Sequence, residues 1–427
     1  MPPEPATRGA PGPAAIGGPV TIVGAGIVGI CAASWLIRDG HDVTVIDADA
    51  PGNRCSFGNA GGICPGSVVP MGMPGMWKKV PGWLSDPQGP LFIRLAHLPA
   101  ALPWMLAFMA SGRRDRAEAI SAAMAALHSQ TIVRYRDLVA WAGCPELLVE
   151  RGQLFLYESR EELEGDGFGL ELRRRAGVAM EVLEADALRQ LEPALDRRFS
   201  HAVFLPGQAQ CLNPHRLVQE LAAQFVADGG RIERARVERL ETRDGMVRRI
   251  VTDAGERRIG TLVMAAGAWS GRLLKTAGIH IPLEAERGYH VTVADPERAP
   301  RIQAMWARRK FVVTPQEGGL RFAGTDEFAG LDAAPDMRRA QKLLDQGREL
   351  IPGLEAESHT MWMGHRPGTP DSLPVLGRDS RYANLLHAFG HGHTGLMGAS
   401  VSGHVIADLV AGRRPELDLA PYRPDRF

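Results

Sequence analysis

The stretch Val20 to Asp47 reads V-T-I-V-G-A-G-I-V-G-I-C-A-A-S-W-L-I-R-D-G-H-D-V-T-V-I-D, and its hydrophobic period changes twice. An apolar run enters Gly24, a helical pattern occupies Ile27 to Asp39, Gly40 stops it, and Val43 to Ile46 forms a second buried run. Strand, helix and strand in that order make one βαβ unit. Gly24, Gly26 and Gly29 give G-x-G-x-x-G at the strand-to-helix turn. That spacing serves a tight turn, close approach of the backbone to a pyrophosphate, and tight packing of helix on strand. The helix N-terminus at Ile27 and Val28 supplies the anion site. Asp47 ends the second strand ahead of Ala48, where a carboxylate accepts hydrogen bonds from an adenosine ribose and disfavours a 2′-phosphate. These residues predict a dinucleotide site and leave FAD and NAD both open.

The remaining composition narrows the partners. A chain of 427 residues exceeds one ordinary hydrophobic core, so two domains with a cleft between them are expected. An apolar fraction of 45% with 23% charged residues excludes wholesale disorder, collagen and coiled coil. Lys plus Arg equals Asp plus Glu at 49 each without a polybasic stripe, so small molecules and not nucleic acids are the expected partners. Cys31, Cys55, Cys64, Cys144 and Cys211 are scattered without a C-x-x-C, which suggests neither a disulfide framework nor a metal site and fits the cytoplasm. Residues 1–18 read as a disordered tail, not a secretory signal. Leu91 to Ala110 is apolar, but Arg94, His97, Pro99 and Pro103 interrupt it, so no transmembrane span is expected. Trp77, Trp83 and Trp104 with Lys78, Lys79 and Arg94 keep peripheral contact with the inner membrane as an alternative. Prolines at 81, 87, 90, 99 and 103 argue against one continuous amphipathic helix there and predict a roof over the substrate pocket.

After Pro65 come loops, an Ala-rich helix near Arg114 to Trp141, and a strand Gln153 to Tyr157. The α/β pattern resumes with Asn213-Pro214 capping a helix to about Ala227, a strand Arg231 to Arg236, and a buried strand Thr261 to Ala265 ending at Gly267. Runs at Gly288 to Val293, Phe311 to Thr314 and Leu320 to Ala323 suit a mixed sheet that walls a substrate pocket. Near the C-terminus, Gly390, Gly392 and Gly395 repeat the G-x-G-x-x-G spacing, but too few residues follow for a second βαβ unit. A strand, a glycine turn and a helix from about Thr394 are expected instead. The helix N-terminus there suits a flavin, whose N1/C2=O edge turns anionic on reduction.

With Ala265-Ala266-Gly267-Ala268-Trp269-Ser270 and the closing G-H-G-H-T-G, the chain resembles the D-amino acid oxidase superfamily of FAD enzymes. Within it, the resemblance is to the D-amino-acid dehydrogenase branch and to glyphosate oxidoreductase, over nearly everything after Pro19. The carrying segments are S-F-G-N-A-G-G (56–62), S-V-V-P-M-G-M-P-G (67–75), E-R-G-Y-H (286–290), G-T-D-E-F-A-G-L (324–331) and W-M-G-H-R-P-G-T-P-D-S-L-P-V-L-G (362–377). The resemblance implies an α/β Rossmann-like FAD domain from 19–64, 201–280 and 360–427, interleaved with a mixed-sheet substrate domain from 65–200 and 281–359.

It further implies that Ser56, Asn59, Ala60, Gly61 and Gly62 run along the flavin. Val237, Ala266, Gly267 and Trp269 would contact the adenosine and pyrophosphate end, and Gly390, Gly392, His393, Thr394, Gly395 and Leu396 the flavin itself. Arg366 stands where glycine-oxidising relatives clamp a substrate carboxylate, a task that suits a permanently charged, forked guanidinium. Tyr289, His290, His391 and His393 are further candidates for substrate binding or orientation, with Arg366, His393 and Tyr289 as the catalytic set. Gly364 replaces the flavin-linking cysteine of sarcosine-oxidising relatives, so FAD is expected to be non-covalent.

The expected reaction is oxidation of the C–N bond of a D-amino acid or N-substituted glycine by hydride transfer to flavin N5. The resulting imine hydrolyses to an oxo acid plus amine or ammonia, and oxygen or a quinone takes the electrons. The alternative is a flavin-bearing electron-transfer subunit of a hetero-oligomeric amine dehydrogenase. A disulfide reductase is excluded by the lack of a cysteine pair and of a second nucleotide unit.

Overall fold

A computed structural model describes residues 17–78, 80–86 and 89–427. The expected tail lies, apart from residues 17 and 18, outside the described residues, as do Lys79 and Pro87. Six strands form a sheet in the order Arg231–Arg234, Val43–Asp47, Val20–Val23, Thr261–Met264, Leu385–Phe389 and Val375–Arg378. The first five run parallel and the last is antiparallel. The runs V-T-I-V, T-L-V-M and L-L-H-A-F are apolar almost throughout because both faces of this sheet are covered, one by helices and the other by the antiparallel strands Val237–Arg243 and Met246–Thr252 with helix Ser270–Lys275. Helix Ile27–Arg38 packs along helix Gly395–Val410, and a Cβ at Gly403 would stand 2.7 Å from the Ala32 nitrogen. The small residue lets the two backbones touch. Trp35 locks the pair by donating from Nε1 to the Ser400 carbonyl at 3.1 Å.

The second large sheet has the order His359–Gly368, Glu284–Val293, Gly319–Phe328, Phe311–Gln316, Gln303–Trp306, Gln153–Tyr157, His201–Leu205 and Glu181–Glu184, with Leu91–Ile93 also paired to Gly319–Phe328. Helix Arg338–Leu350 closes its outer face, burying Leu343 and Leu344 against Phe311 and Phe322. Three boundaries expected from the sequence are corrected here. Strands His201–Leu205 and His359–Gly368 belong to this sheet, so the FAD segments begin beyond them; alternation reports which face of a strand is buried, not which sheet it joins. Residues 114–141 form two helices, Arg114–His128 and Thr131–Trp141. They bury Ile120, Met124, Leu127, Tyr135 and Leu138 in the nucleotide-side core with Ile30 and Leu36, and so do not belong with the substrate sheet.

Helix Leu98–Ser111 forms despite the prolines: Pro99 occupies the first turn, where no N–H partner is lost, and Pro103 sits inside. Its Trp104 is buried and donates to the Gly368 carbonyl at 3.0 Å, while Leu102, Leu106 and Met109 are exposed. No single helix among the described residues is long and apolar enough to cross a membrane.

Candidate active site

The two large sheets enclose one continuous cleft of about 1360 Å³ that runs from Asp47 to Arg366. Its floor is the glycine turn. A Cβ at Gly24 would stand 2.3 Å from the Ala265 carbonyl oxygen, and one at Gly29 would stand 1.9 Å from the Gly24 oxygen, so both are required for packing. Gly26 is open by comparison, with Ser56 Oγ nearest at 3.6 Å, which leaves the backbone accessible from the cleft. Gly24, Gly26, Ile27, Val28, Asp47 and Ala48 line the cleft; Gly29 does not, and acts through helix–strand packing. Asp47 accepts from Ala25 N at 2.7 Å and Asp49 N at 2.9 Å, while burial pushes its carboxyl above the usual range. At this end Val237, Ala266, Gly267 and Trp269 form the facing wall, and Arg54 lies over the Trp269 ring.

The loop after Asp49 is built by clasps from the substrate sheet. Ser56 Oγ accepts from Ile27 N at 2.9 Å, tying the loop to the helix N-terminus. Arg321 Nη1 donates to the carbonyls of Phe57 and Asn59 at 3.0 and 2.7 Å, and Arg321 Nε to Thr292 Oγ1 at 3.1 Å. No carboxylate lies within ion-pair distance of this buried guanidinium among the described residues, and burial lowers its pKa to about 10. Ser56, Asn59, Ala60 and Gly62 line the cleft; Gly61 does not. Gly61 is the turn glycine, because its φ is +82° and a Cβ there would stand 2.5 Å from the Cys211 carbonyl oxygen.

His290 was expected in the substrate pocket, and the structure corrects this. It is buried outside the cleft, its ring stacked on Trp362, and Nδ1 donates to the Gly58 carbonyl at 3.1 Å. Burial pushes its pKa down to about 3, so the ring is a neutral loop anchor. Tyr289 borders the cleft, but its hydroxyl is engaged elsewhere. Its hydroxyl donates to Glu327 Oε2 at 2.5 Å and accepts from Asp336 N at 3.0 Å, on the face of the sheet turned to helix Arg338–Leu350. Alternation along Glu284–Val293 sends Glu286, Gly288 and His290 one way and Arg287, Tyr289 and Val291 the other.

Arg366 and Glu286 are direct neighbours across paired strands. Arg366 Nη1 donates to Asp326 Oδ1 at 2.7 Å and to the Thr325 carbonyl at 3.0 Å, while no hydrogen bond occupies Nε or Nη2 among the described residues. Its guanidinium crosses Gly288, where a Cβ would stand 2.0 Å from Cζ. His393 Nε2 lies 2.9 Å from Glu286 Oε2 and 3.4 Å from Asp326 Oδ1. The donor atoms of Glu286, Asp326 and His393 lie within 4.8 Å of one another, a spacing that could hold a cation, but the Arg366 charge already occupies Asp326. His391 is buried with Nε2 on Ser402 Oγ at 2.9 Å, and burial lowers its pKa to about 3. Gly390, Gly392, His393, Thr394, Gly395 and Leu396 line the cleft where helix Gly395–Val410 begins.

The family model for FAD dependent oxidoreductases (DAO) matches residues 19–409. The chain belongs to that family. It is 41% identical to a D-amino-acid oxidase of Bradyrhizobium diazoefficiens over 415 residues, 96% of this chain and 98% of that one. It is 32% identical to a D-amino acid dehydrogenase of Chromohalobacter salexigens over 419 residues, covering 93% and 97%. Glycine oxidase from Geobacillus kaustophilus shares the fold at a TM-score of 0.73 with 22% identity, covering 96% of this chain and 98% of that one. Iminodiacetate oxidase from Chelativorans sp. BNC1 does so at 0.73 with 24% identity, covering 95% and 98%.

This family member is an FAD-dependent oxidoreductase, and the cleft fits that cofactor. Gly26 leaves room for a pyrophosphate at the start of helix Ile27–Arg38, and the glycine turns at 58–62 and 390–395 bring backbone to the edges of a slot that would take a flat ring. Gly364 lines the slot, and a Cβ there would stand 2.0 Å from the Trp362 ring.

Sequence reading missed Glu286, Asp326 and Arg321. The first two lie inside the segments E-R-G-Y-H and G-T-D-E-F-A-G-L, and the alternation that turns the Tyr289 hydroxyl toward helix Arg338–Leu350 is the signal that would have found Glu286 on the opposite face.

Proposed function

We propose that this flavoenzyme oxidises the C–N bond of an amino acid, a D-amino acid or an N-substituted glycine, to an imine that water hydrolyses to an oxo acid and an amine or ammonia. The observation that carries the reading is Arg366 in the cleft with its Nε–Nη2 edge unoccupied and its other edge fixed by Asp326 and Thr325. That edge presents two parallel donors, the geometry that holds a carboxylate bidentately. FAD, when bound, would supply the two-electron acceptor for hydride from the carbon that bears nitrogen. The protein's part is to hold that carbon still and to exclude water. Trp104, Phe108 and Trp83 line the cleft from the 71–112 segment and form its apolar wall. The relatives named above as a D-amino-acid oxidase, a D-amino acid dehydrogenase and an iminodiacetate oxidase support both substrate classes. FAD is held without a covalent bond, because the glycine at 364 gives no linking atom and Trp362 fills the space one would need. Oxygen or a quinone reoxidises the flavin.

The test is anaerobic mixing of the purified holoenzyme with D-amino acids, sarcosine-like amines and glyphosate, reading flavin absorbance. Bleaching by one of these classes supports the reading. No bleaching by any amine favours an electron-transfer subunit that depends on a partner.

A further inference from the structure

Glu286 and His393 form a hydrogen-bonded pair beside Arg366, and their geometry fixes which ring nitrogen is free. Nε2 of His393 faces Glu286 Oε2 at 2.9 Å and Asp326 Oδ1 at 3.4 Å. Ionised carboxylates only accept, so the network assigns the ring hydrogen to Nε2, and a neutral ring then carries its lone pair on Nδ1. No hydrogen bond occupies Nδ1 among the described residues, and 30% of the side chain is exposed, on the cleft. Glu286 is itself buried and fixed, its carboxylate lying over Gly368, where a Cβ would stand 2.0 Å from Oε1.

The charges facing the ring are Glu286, Asp326 and Arg366, which sum to one net negative charge. On the turn that carries His393, His391 is buried and bonded to Ser402. At the start of the Glu284–Val293 strand, two residues before Glu286, Glu284 is engaged by His97 at 3.0 Å. Helix Gly395–Val410 brings no acidic residue in its first turn. A positive charge arriving on the ring is therefore met by a compensating negative charge already in place.

We propose that His393 Nδ1 takes the proton of the substrate ammonium, with Glu286 and Asp326 as positioning residues that hold the ring and receive its charge. The inference rests on the amine-oxidising reading above. An amino acid enters as an ammonium near neutral pH, whereas a forming C=N bond draws on the lone pair of a neutral amine. In the step, one N–H bond of the ammonium breaks with its electron pair left on nitrogen, an Nδ1–H bond forms, and the positive charge passes to the ring. No electron acceptor takes part in this step. The exposed ring later returns the proton to solvent.

The test follows anaerobic flavin reduction by an amino acid substrate at low concentration from pH 7.5 to 9, in wild type, His393→Asn and Glu286→Gln, each with FAD bound. The wild-type rate is expected to be nearly flat, because the ring removes the proton. In His393→Asn it is expected to climb about tenfold per pH unit, because solution alone then supplies the neutral amine. Glu286→Gln, whose amide oxygen still accepts from Nε2–H but lacks the charge, is expected to lose at least tenfold at pH 7.5. A readout without turnover comes from ¹⁵N-histidine NMR of the holoenzyme with 2-aminoisobutyrate, which has no α-hydrogen to lose. The resonance absent in His393→Asn is expected to show Nδ1 gaining a proton on binding. A His393→Asn profile parallel to wild type, or an Nδ1 that stays unprotonated in the complex, overturns the proposal. A wild-type flavin that no amine bleaches overturns the amine-oxidising reading itself, and this assignment with it.

Discussion

Arg366 and Asp326 form a 2.7 Å ion pair that fixes one edge of the guanidinium and leaves the other to the cleft. Both side chains are about four-fifths buried, so the pair is only weakly screened and its geometry is held. Replacing Arg366 by Lys keeps a charge near Asp326 but removes the fork. The expected result is normal FAD content with the rate of flavin reduction at low substrate lowered more than tenfold, about 1.4 kcal/mol. Stopped-flow reduction of the two proteins measures it; an unchanged rate returns Arg366 to a purely structural role.

Gly288 offers a separate check on the same clamp without touching a charge. A methyl at this position would meet the guanidinium at 2.0 Å, so Gly288→Ala has to move Arg366 off its line. Substrate affinity is expected to fall about tenfold or more while FAD stays bound. A crystal structure or a titration with a carboxylate inhibitor reads the displacement; unaltered inhibitor binding contradicts it.

Asp47 joins the glycine turn to the second strand through Ala25 N and Asp49 N. Asp47→Ala loses these bonds together with the carboxylate expected to hold the ribose, and a hydrogen bond to a charged group contributes about 1.5–3 kcal/mol. FAD occupancy after gel filtration is expected to drop with the circular dichroism of the chain preserved. Equal occupancy in the variant refutes the ribose role.

How legible this was in the sequence depends on how local each determinant is. Val20 to Asp47 could be read because the switches in period, Gly40 and the acid all lie within one supersecondary unit. The cap at Asn213 was legible for the same reason, and its side chain accepts from Arg216 N at 3.0 Å. The turn between Val237–Arg243 and Met246–Thr252 carried an Asp244-Gly245 hairpin signal, with φ of 52° and 66°, that the reading passed over. By contrast, nothing local tells that helix Thr131–Trp141 docks on Gly395–Val410 through Thr131 Oγ1 and the Met397 carbonyl, or that Arg321 holds a loop more than 260 residues away. The site residues divided the same way. The glycine turns were found by motif, whereas the directions of Tyr289 and His290 depend on which face of a paired strand meets the cleft.

The buried histidines make stability fall in acid. His290 and His391 have native pKa values pushed down to about 3, against about 6.5 in an unfolded chain. A depressed histidine means the unfolded state binds the proton first, so stability is fully present above about pH 6.5 and is lost as pH falls toward 3, by about 1.4 kcal/mol per pH unit per group. Urea denaturation at pH 7.5 and pH 5 is expected to show a smaller acid loss in His290→Gln than in wild type, by up to about 2 kcal/mol. Identical losses contradict a neutral buried ring at 290.

An amino acid held in the Arg366 cleft is expected to give up its α-hydride to the flavin. Anaerobic stopped-flow reduction of the holoenzyme, with the same D-amino acid or N-substituted glycine in α-protiated and α-deuterated form, tests it most directly. Flavin absorbance is expected to bleach with a rate that saturates in substrate and is slowed by deuterium at the α-carbon. A flavin that stays oxidised with every such amine, or bleaches at a rate indifferent to α-deuteration at saturating substrate, contradicts the account.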